Sequence, residues 1–223
     1  MEDTPEVELV LPCLDEAGGL RWLLPRVPPG IAVILADNGS RDGSAQIAAD
    51  LGATVVEVPQ RGYGAACHAG LLAARAEIVA VMDADGSLDP AQLAAVLDPV
   101  RDGRLDLAIG ARRSVHRGAQ PLHLRLANRA LAARLTARTG VRLHDLGPMR
   151  AARRAGLLAL DLQDRRSGYS AETVVKAADA GWRIGDVRVD YRVRTGRSKV
   201  TGTPLGVLQA VRDMSAALTR PVV

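Results

Sequence analysis

The sequence has few aromatic residues: no phenylalanine, two tryptophans and three tyrosines, or 2% of its 223 residues. Proteins that bind single-stranded nucleic acid stack its bases on aromatic side chains, and no motif that reads a nucleic-acid groove is present either. We therefore expect no nucleic-acid partner. Alanine, valine and leucine must fill the core, and the hydrophobic fraction of 48% is that of a globular protein.

Long apolar runs and a set of paired cysteines are also missing. No stretch approaches the roughly 20 apolar residues that a helix needs to cross a bilayer. The first ten residues, MEDTPEVELV, are acidic and lack the charged-then-apolar order of a signal peptide. Cys13 and Cys67 are too few for a disulfide framework. These absences predict a cytoplasmic protein, and the length without a linker or repeat predicts one domain over residues 1–223.

Acidic residues are nearly absent from one basic segment. From Arg112 to Arg154 the arginines are dense and Asp145 is the only acid, although the net charge of the chain is only +4. This skew predicts a surface that faces phosphates, whether of a nucleotide, a lipid head group or a membrane. It therefore predicts a peripheral membrane contact through Arg112–Arg154. The alternative is an ordinary solvated basic face.

Short apolar runs alternate with helical patterns in the first half of the chain. The runs expected to form strands span residues 6–11, 31–36, 54–58, 78–82 and 105–109, and Pro12 is expected to end the first of them. Strands that alternate with helices form a mostly parallel sheet flanked by helices, so the predicted fold class is α/β. The spacing of Leu93, Val96, Leu97 and Val100 predicts a helix with a buried face after the fourth run. The second half predicts helices over 121–138 and 170–180, a short extended or turn segment over 145–150, a strand over 184–193, a basic loop over 194–203 and a final helix.

Acidic residues follow two of the predicted strands. Asp37 comes directly after the second apolar run, and Asp83 and Asp85 follow the fourth, in MDADGS. Open α/β sheets bind ligands at the carboxyl edge of their strands, and carboxylates hold Mg²⁺ there together with substrate phosphates. We therefore expect these acids to converge on one pocket that holds a divalent cation and a diphosphate. Asp and Gly also dominate ordinary turns, which is the alternative.

In this order the motifs resemble those of family-2 glycosyltransferases of the GT-A type, in particular the bacterial form of the dolichyl- or polyprenyl-phosphate hexosyltransferases. The similarity covers about residues 7–206 and rests on the joint order of PCLDEA, ADNGSRDGS, RGYGAA, MDADGS, IGARR, DLGPMR, SAETVVKAADAGWRIGDVRVDYRVR and GRSKVTGT. The resemblance implies a GT-A fold in which about residues 1–113 bind the nucleotide sugar and about 114–223 face the acceptor. It also implies inverting transfer of a hexose from a UDP-glucose or GDP-mannose type of donor, with Mg²⁺ or Mn²⁺ as cofactor, and a polyprenyl phosphate as the first candidate acceptor.

The resemblance implies a role for each matching residue. The residues that would contact the nucleotide sugar are Pro12, Leu14, Glu16, Asp37, Gly62, Asp83, Ala84, Asp85, Arg112 and Lys199. Asp85 matches the second acid of the family's DxD motif and would ligate the metal, with Asp83 beside it. Lys199, on the basic loop, would close over the phosphates and take part in catalysis. Two departures are Leu14, where the family commonly has an aromatic residue, and Asn38, where a second acid is common.

The acceptor decides whether the reaction needs a base. A hydroxyl acceptor requires a carboxylate to take its proton, and Asp145 and Glu172, which match acids near the acceptor site of relatives, are the candidates. A lipid phosphate is already ionised and needs no base, in which case the two acids would form structural ion pairs.

Other classes of protein remain as alternatives. They are a glycosyltransferase acting on a soluble hydroxyl acceptor, a sugar-phosphate nucleotidyltransferase and a non-catalytic membrane-surface binding module. A dinucleotide-binding oxidoreductase is disfavoured because no G-x-G-x-x-G follows a predicted strand. The oligomeric state stays open, a homodimer included.

Overall fold

The computed structural model describes residues 5–115, 122–195 and 212–214, without the side chains of 122–125. The strands in this part of the chain are β1 (Val7–Cys13), β2 (Ile31–Asp37), β3 (Thr54–Glu57), β4 (Ile78–Val81), β5 (Leu107–Ser114), β6 (Arg150–Arg153) and β7 (Ile184–Tyr191). The α-helices are α1 (Ala17–Leu23), α2 (Ser44–Asp50), α3 (Tyr63–Ala73), α4 (Leu93–Arg101), α5 (Leu122–Thr139), α6 (Arg154–Ala159) and α7 (Tyr169–Asp179).

The seven strands form one sheet in the order β3-β2-β1-β4-β6-β5-β7. β1 runs parallel to β2 and β4, β2 to β3, and β5 to β7. Only β6 is antiparallel to its neighbours in this sheet, β4 and β5. The predicted α/β class with a mostly parallel sheet is therefore confirmed.

The expectation that Pro12 ends the first strand is wrong, because β1 continues to Cys13 and pairs with β2 as far as Asp37. The carbonyl of Val10 accepts from Met82, so alternate residues from Val10 onward face β4, whereas the carbonyl of Cys13 accepts from Asn38 on the β2 side. The backbone of Pro12, two residues after Val10, therefore also faces β4, but the pairing of β1 with β4 has already ended at Val10. Its missing N–H costs no hydrogen bond of the ladder, which is where a strand tolerates proline.

Two features of the second half of the sheet differ from the prediction. Residues 145–150 were expected to be a turn or extended segment, but the chain goes on from Arg150 to form β6, which separates β4 from β5. The fifth strand was expected to end at Ile109 and instead runs to Ser114, so Arg112 lies on a strand rather than in a loop. β7 pairs with β5 along its whole length and ends at Tyr191, and this pairing gives the extra residues of β5 their partner.

Helices cover both faces of the sheet, and successive strand residues point to opposite faces. Val7 and Leu9 of β1 pack on one face with the buried residues of α1 and α4. Val10 packs on the other face with Leu71 of α3 and Val174 of α7. The predicted apolar face of α4 is confirmed, since it buries Leu93, Val96, Leu97 and Val100.

Within the described residues, none of the helices is both long and apolar enough to span a membrane. The predicted basic loop lies outside the described residues from position 196 onward, and Lys199 with it. Of the predicted final helix only residues 212–214 are described, and they are helical.

Candidate active site

The parallel strands β1, β2 and β4 end at the same edge of the sheet, and the loops that follow them pack together. The start of α1 presses on the loop after β4: a Cβ atom on Gly19 would lie 2.3 Å from the carbonyl oxygen of Ala84. Any larger residue at this position would push the two loops apart. Glycine here brings Glu16, just before α1, close to the acids of MDADGS.

Asp85 lies at the centre of this edge and is 3% exposed. Its Oδ1 accepts a hydrogen bond from the backbone N–H of Ser87 at 2.9 Å. Its Oδ2 lies 3.3 Å from an Nη atom of Arg194, and the same nitrogen is 3.0 Å from Oε1 of Glu16. Two buried carboxylates from different loops therefore share one guanidinium.

Asp83 adds a further acid at this position. The pKa of Asp83 is raised to about 7, chiefly by burial and then by the charge of Asp85, while Arg112, Arg194 and Arg150 oppose the shift. Buried like charges stabilise whatever cation lies between them. Among the described residues no three His, Cys, Asp or Glu side chains form a complete metal site. A pair of acids still fits the way Mg²⁺ binds, through one or two carboxylates and substrate phosphates.

Asp37 is joined to the same edge through Ser40. The Ser40 hydroxyl and the Ser40 backbone N–H both donate to the Asp37 carboxylate, and the hydroxyl oxygen accepts from the N–H of Asp15 at 2.9 Å. Asp15 directly precedes Glu16, so the loop after β1 connects Asp37 on one side to Asp85 on the other. Of the other residues predicted to contact the nucleotide sugar, Pro12 near the end of β1 and Leu14 on the loop after it are partly exposed, and Ala84 is buried between Asp83 and Asp85.

Asn38 organises the neighbouring loop and explains why an acid would not serve at this position. Its amide group donates to the carbonyls of Val58 and Gln60, at 3.0 and 2.7 Å. Its amide oxygen accepts from the N–H of Gly62 at 2.8 Å. A carboxylate has no N–H to donate, so aspartate could satisfy only the last of these contacts.

Gly62 has a φ of +140°, and a Cβ atom there would lie 2.1 Å from the carbonyl oxygen of Arg165. Gly62→Ala is therefore expected to lower the free energy of unfolding by about 3 kcal/mol or more, through backbone strain and steric overlap. Urea denaturation measures the loss. Gly52→Ala is the control, since Gly52 also has a positive φ but no atom within 4 Å, and should cost only about 1 kcal/mol. Equal losses in the two variants would contradict the steric argument.

Arg112 of β5 is held by Asp145 in a bidentate ion pair. Its Nε and one Nη donate to the two carboxylate oxygens at 2.7 and 2.8 Å, and its backbone N–H donates to one of them at 3.1 Å. The guanidinium also lies 5.5 Å from the ring centre of Tyr191. Burial disfavours the charged guanidinium, but the hydrogen bonds that Arg112 donates to Asp145, together with the charges of Asp145 and Asp83, outweigh it and raise the pKa of Arg112. The geometry favours a positioning role for Asp145.

Glu172 lies on α7 and is 2% exposed. Its carboxylate accepts from the backbone N–H groups of Gln163 and Asp164, at 3.1 and 2.7 Å, and lies 3.6 Å from the ammonium of Lys176. These contacts tie the segment before α7 to the helix. Glu172 and Asp145 thus both make the structural contacts that the sequence left as an alternative to catalysis.

Glu172→Gln is expected to lower stability rather than to stop the reaction. An amide oxygen at the position of Oε2 would still accept from both backbone N–H groups, but the amide nitrogen at the position of Oε1 would face the N–H of Gln163 and the ammonium of Lys176. Losing the charged acceptor there costs about 1–3 kcal/mol. Thermal denaturation and the kcat of the folded variant, measured side by side, distinguish the roles. A base would show the opposite result, with unchanged stability and a roughly 100-fold or larger loss of kcat.

Arg150 and Arg194 are two cations whose place in the site the sequence did not indicate. Arg150 is 7% exposed, donates to Ser170, and its Nε has no hydrogen-bond partner within the described residues. The positive charge of Arg150 lowers the pKa of Asp83, and it acts from the side of the sheet that α3 and α7 cover. Both arginines stand in a basic segment with many others, so no local signal separates them from solvated neighbours.

A mostly parallel seven-stranded α/β sheet flanked by helices is the architecture of the GT-A glycosyltransferases. The chain belongs to glycosyl transferase family 2, whose family model matches residues 20–159. It is therefore a glycosyltransferase.

Among similar proteins, an uncharacterized glycosyltransferase of Mycobacterium tuberculosis is 45% identical over 208 residues, which cover 93% of this chain and 95% of the relative. A dolichyl-phosphate hexose transferase of Haloferax volcanii is 32% identical over 176 residues, 78% of this chain and 76% of that protein. Among solved structures, glucosyl-3-phosphoglycerate synthase from M. tuberculosis in complex with phosphoglyceric acid superposes with a TM-score of 0.77 at 25% identity, covering 96% of this chain and 79% of that chain. The same enzyme in complex with Mn²⁺, UDP-glucose and glycerol 3-phosphate gives a TM-score of 0.73 at 25% identity, covering 96% of this chain and 79% of that chain.

Proposed function

We propose that this glycosyltransferase moves a hexose from a nucleoside-diphosphate sugar to a polyprenyl phosphate, with inversion at the anomeric carbon and with Mg²⁺ or Mn²⁺ as cofactor. The observation that carries the proposal is the pairing of Asp85 and Glu16 with one cation at the edge of the sheet, two residues along the chain from Asp83. About residues 1–113 would bind the donor and about 114–223 would face the acceptor.

On the donor side, Asp85 would hold the divalent cation, with Asp83 beside it. The cation supplies stabilisation of the negative charge that develops on the leaving diphosphate. The loop after β1 and the Asp37–Ser40 pair border the place where the nucleoside would lie. Lys199, which lies outside the described residues, would contact the same phosphates. Gly62 would let the loop before α3 come close to the nucleotide sugar.

On the acceptor side, the phosphate itself would be the nucleophile, so the reaction would need no general base. Asp145 fixes the guanidinium of Arg112, and no other carboxylate of the described residues accepts a hydrogen bond from it. A guanidinium fixed in this way suits an incoming phosphate. The similarity to a dolichyl-phosphate hexose transferase supports a lipid phosphate. The exposed arginines of Arg112–Arg154 would then meet anionic lipid at the cytoplasmic face of a membrane.

A second candidate acceptor is a small phosphorylated or acidic molecule. Glucosyl-3-phosphoglycerate synthase, which shares the fold over 96% of this chain, has been crystallised with phosphoglyceric acid. The same guanidinium at Arg112 would serve either phosphate.

The test is a transfer assay with the purified chain, Mn²⁺ and a panel of radiolabelled UDP- and GDP-hexoses. Each donor is offered polyprenyl phosphate in detergent, phosphoglyceric acid, or no acceptor. Labelled lipid that depends on polyprenyl phosphate and is abolished by a chelator is the expected result. Label transferred only to phosphoglyceric acid would support the second acceptor, and transfer that survives the chelator would reject the role of the metal.

A further inference from the structure

Arg194 lies at the place where the donor-site acids require a positive charge. One Nη atom of Arg194 is 3.0 Å from Glu16 Oε1 and 3.3 Å from Asp85 Oδ2. The two carboxylates are 9% and 5% exposed, and the arginine side chain is 26% exposed. Carboxylates this deeply buried are stable only when paired. In this structure the guanidinium of Arg194 is the cation that pairs with both.

The contacts of Asp85 leave one oxygen for a cation. Its Oδ1 accepts from the backbone N–H of Ser87 and so fixes the orientation of the carboxylate. Its Oδ2 is the oxygen that faces Arg194. A guanidinium and a divalent cation repel each other and cannot both lie within about 3 Å of one carboxylate oxygen in a buried site. Binding of a divalent cation to Asp85 therefore requires Arg194 to leave it.

The backbone around Arg194 is held in place, so only its side chain can make this movement. The N–H of Thr195 donates to the carbonyl of Asp85 at 2.9 Å, and the N–H of Arg192 donates to the carbonyl of Ser87 at 2.8 Å. The side chain of Thr195 also packs against Gly18, where an added Cβ would lie 2.8 Å from it. A guanidinium that swings away from Asp85 on this anchored backbone stays within the donor site.

We propose that Arg194 is a displaceable counter-ion of the donor site, which holds Asp85 and Glu16 when no donor is bound and competes with the divalent cation for Asp85. The proposal rests on the proposed function in taking Asp85 as the cation ligand. Free metal then binds weakly, because it must displace an ion pair. Metal that arrives with a nucleoside diphosphate binds well, because the diphosphate offers the released Arg194 a new anionic partner. Arg194 thereby couples metal binding to donor binding.

The test measures Mn²⁺ affinity directly, by the electron paramagnetic resonance signal of free Mn²⁺, without nucleotide and with UDP or GDP. Arg194→Gln removes the charge and keeps a polar side chain. It is expected to bind Mn²⁺ alone at least about tenfold more tightly than the wild-type chain, a change of about 1.4 kcal/mol. The ratio of Mn²⁺ affinities with and without nucleotide is expected to shrink in the same variant. Arg194→Met is a second neutral variant, which serves if the first does not fold.

Arg192→Gln is the matched control. Arg192 stands two residues away, pairs with Asp89 and lies over the ring of Trp22, so its loss should leave Mn²⁺ affinity unchanged. Arg194→Lys keeps the charge and should also stay near the wild-type value. Adding Asp85→Asn to Arg194→Gln should abolish the gained affinity.

The outcomes separate this proposal from the proposed function. If the wild-type chain binds Mn²⁺ with nucleotide and transfers hexose, but neutral variants at Arg194 bind Mn²⁺ alone no more tightly, the counter-ion role is rejected and the function stands. If Mn²⁺ does not bind the wild-type chain even with nucleotide, the metal-dependent function fails and this proposal with it.

Discussion

Asp85→Asn is expected to lose roughly 100- to 1,000-fold of hexose transfer, the usual cost of removing one electrostatic contact to charge that develops in a transition state. Asparagine keeps an oxygen that can accept from the N–H of Ser87, so the loop after β4 should retain its shape. What is lost is the carboxylate that would hold the cation.

The measurement is product formation from radiolabelled donor, with thermal denaturation of the same samples. Asp50→Asn is the control, because Asp50 is an exposed acid on α2 whose carboxylate accepts a hydrogen bond from Gln46. Full activity in Asp85→Asn would remove the metal from the mechanism.

Asp145→Asn is expected to lower the free energy of unfolding by about 3–5 kcal/mol, because it breaks a buried ion pair and leaves the charge of Arg112 without its partner. The two side chains are 14% and 11% exposed, so water compensates little of this loss. Transfer should weaken chiefly through a higher KM, because Arg112 would no longer be held toward its phosphate.

Two comparisons test the expectation for Asp145→Asn. Combining Asp145→Asn with Arg112→Gln should cost less stability than the sum of the two single changes, as expected of residues in contact. Asp106→Asn removes a similar pair with Arg183 at the surface, where the side chains are 38% and 59% exposed, and should cost at most about 1 kcal/mol. A large fall in kcat with unchanged KM and stability would instead assign Asp145 as a base.

The predictions for Asp145→Asn and Glu172→Gln bear on the nature of the acceptor. If both variants lose stability but keep their kcat, neither of the two candidate bases, Asp145 and Glu172, takes part in the chemical step. An acceptor that needs no deprotonation, such as a phosphate monoester of a lipid, then becomes the consistent substrate.

The strands of the first half and the position of its acids could be anticipated because both depend on local sequence. An apolar run followed by an acid and a glycine predicts a buried strand that ends in a polar loop, and the observed β2 and β4 follow this rule. By contrast, β6 is four residues long with an arginine at each end. Its place between β4 and β5 is set by hydrogen-bonding partners that are about 70 and 40 residues away in the chain.

The sequence by itself determined the α/β class, the mostly parallel sheet and the presence of acids after two of its strands, since strand periodicity and turn chemistry depend on adjacent residues. The tertiary structure alone decided how the charges are paired: Arg112 with Asp145, and Arg194 with Glu16 and Asp85. Each arginine lies among many others in the sequence, and an ion pair depends on distances of 3–4 Å that local patterns do not carry. Which arginine faces which acid is therefore fixed by the packing of the sheet edge, and with it the electrostatics of the site.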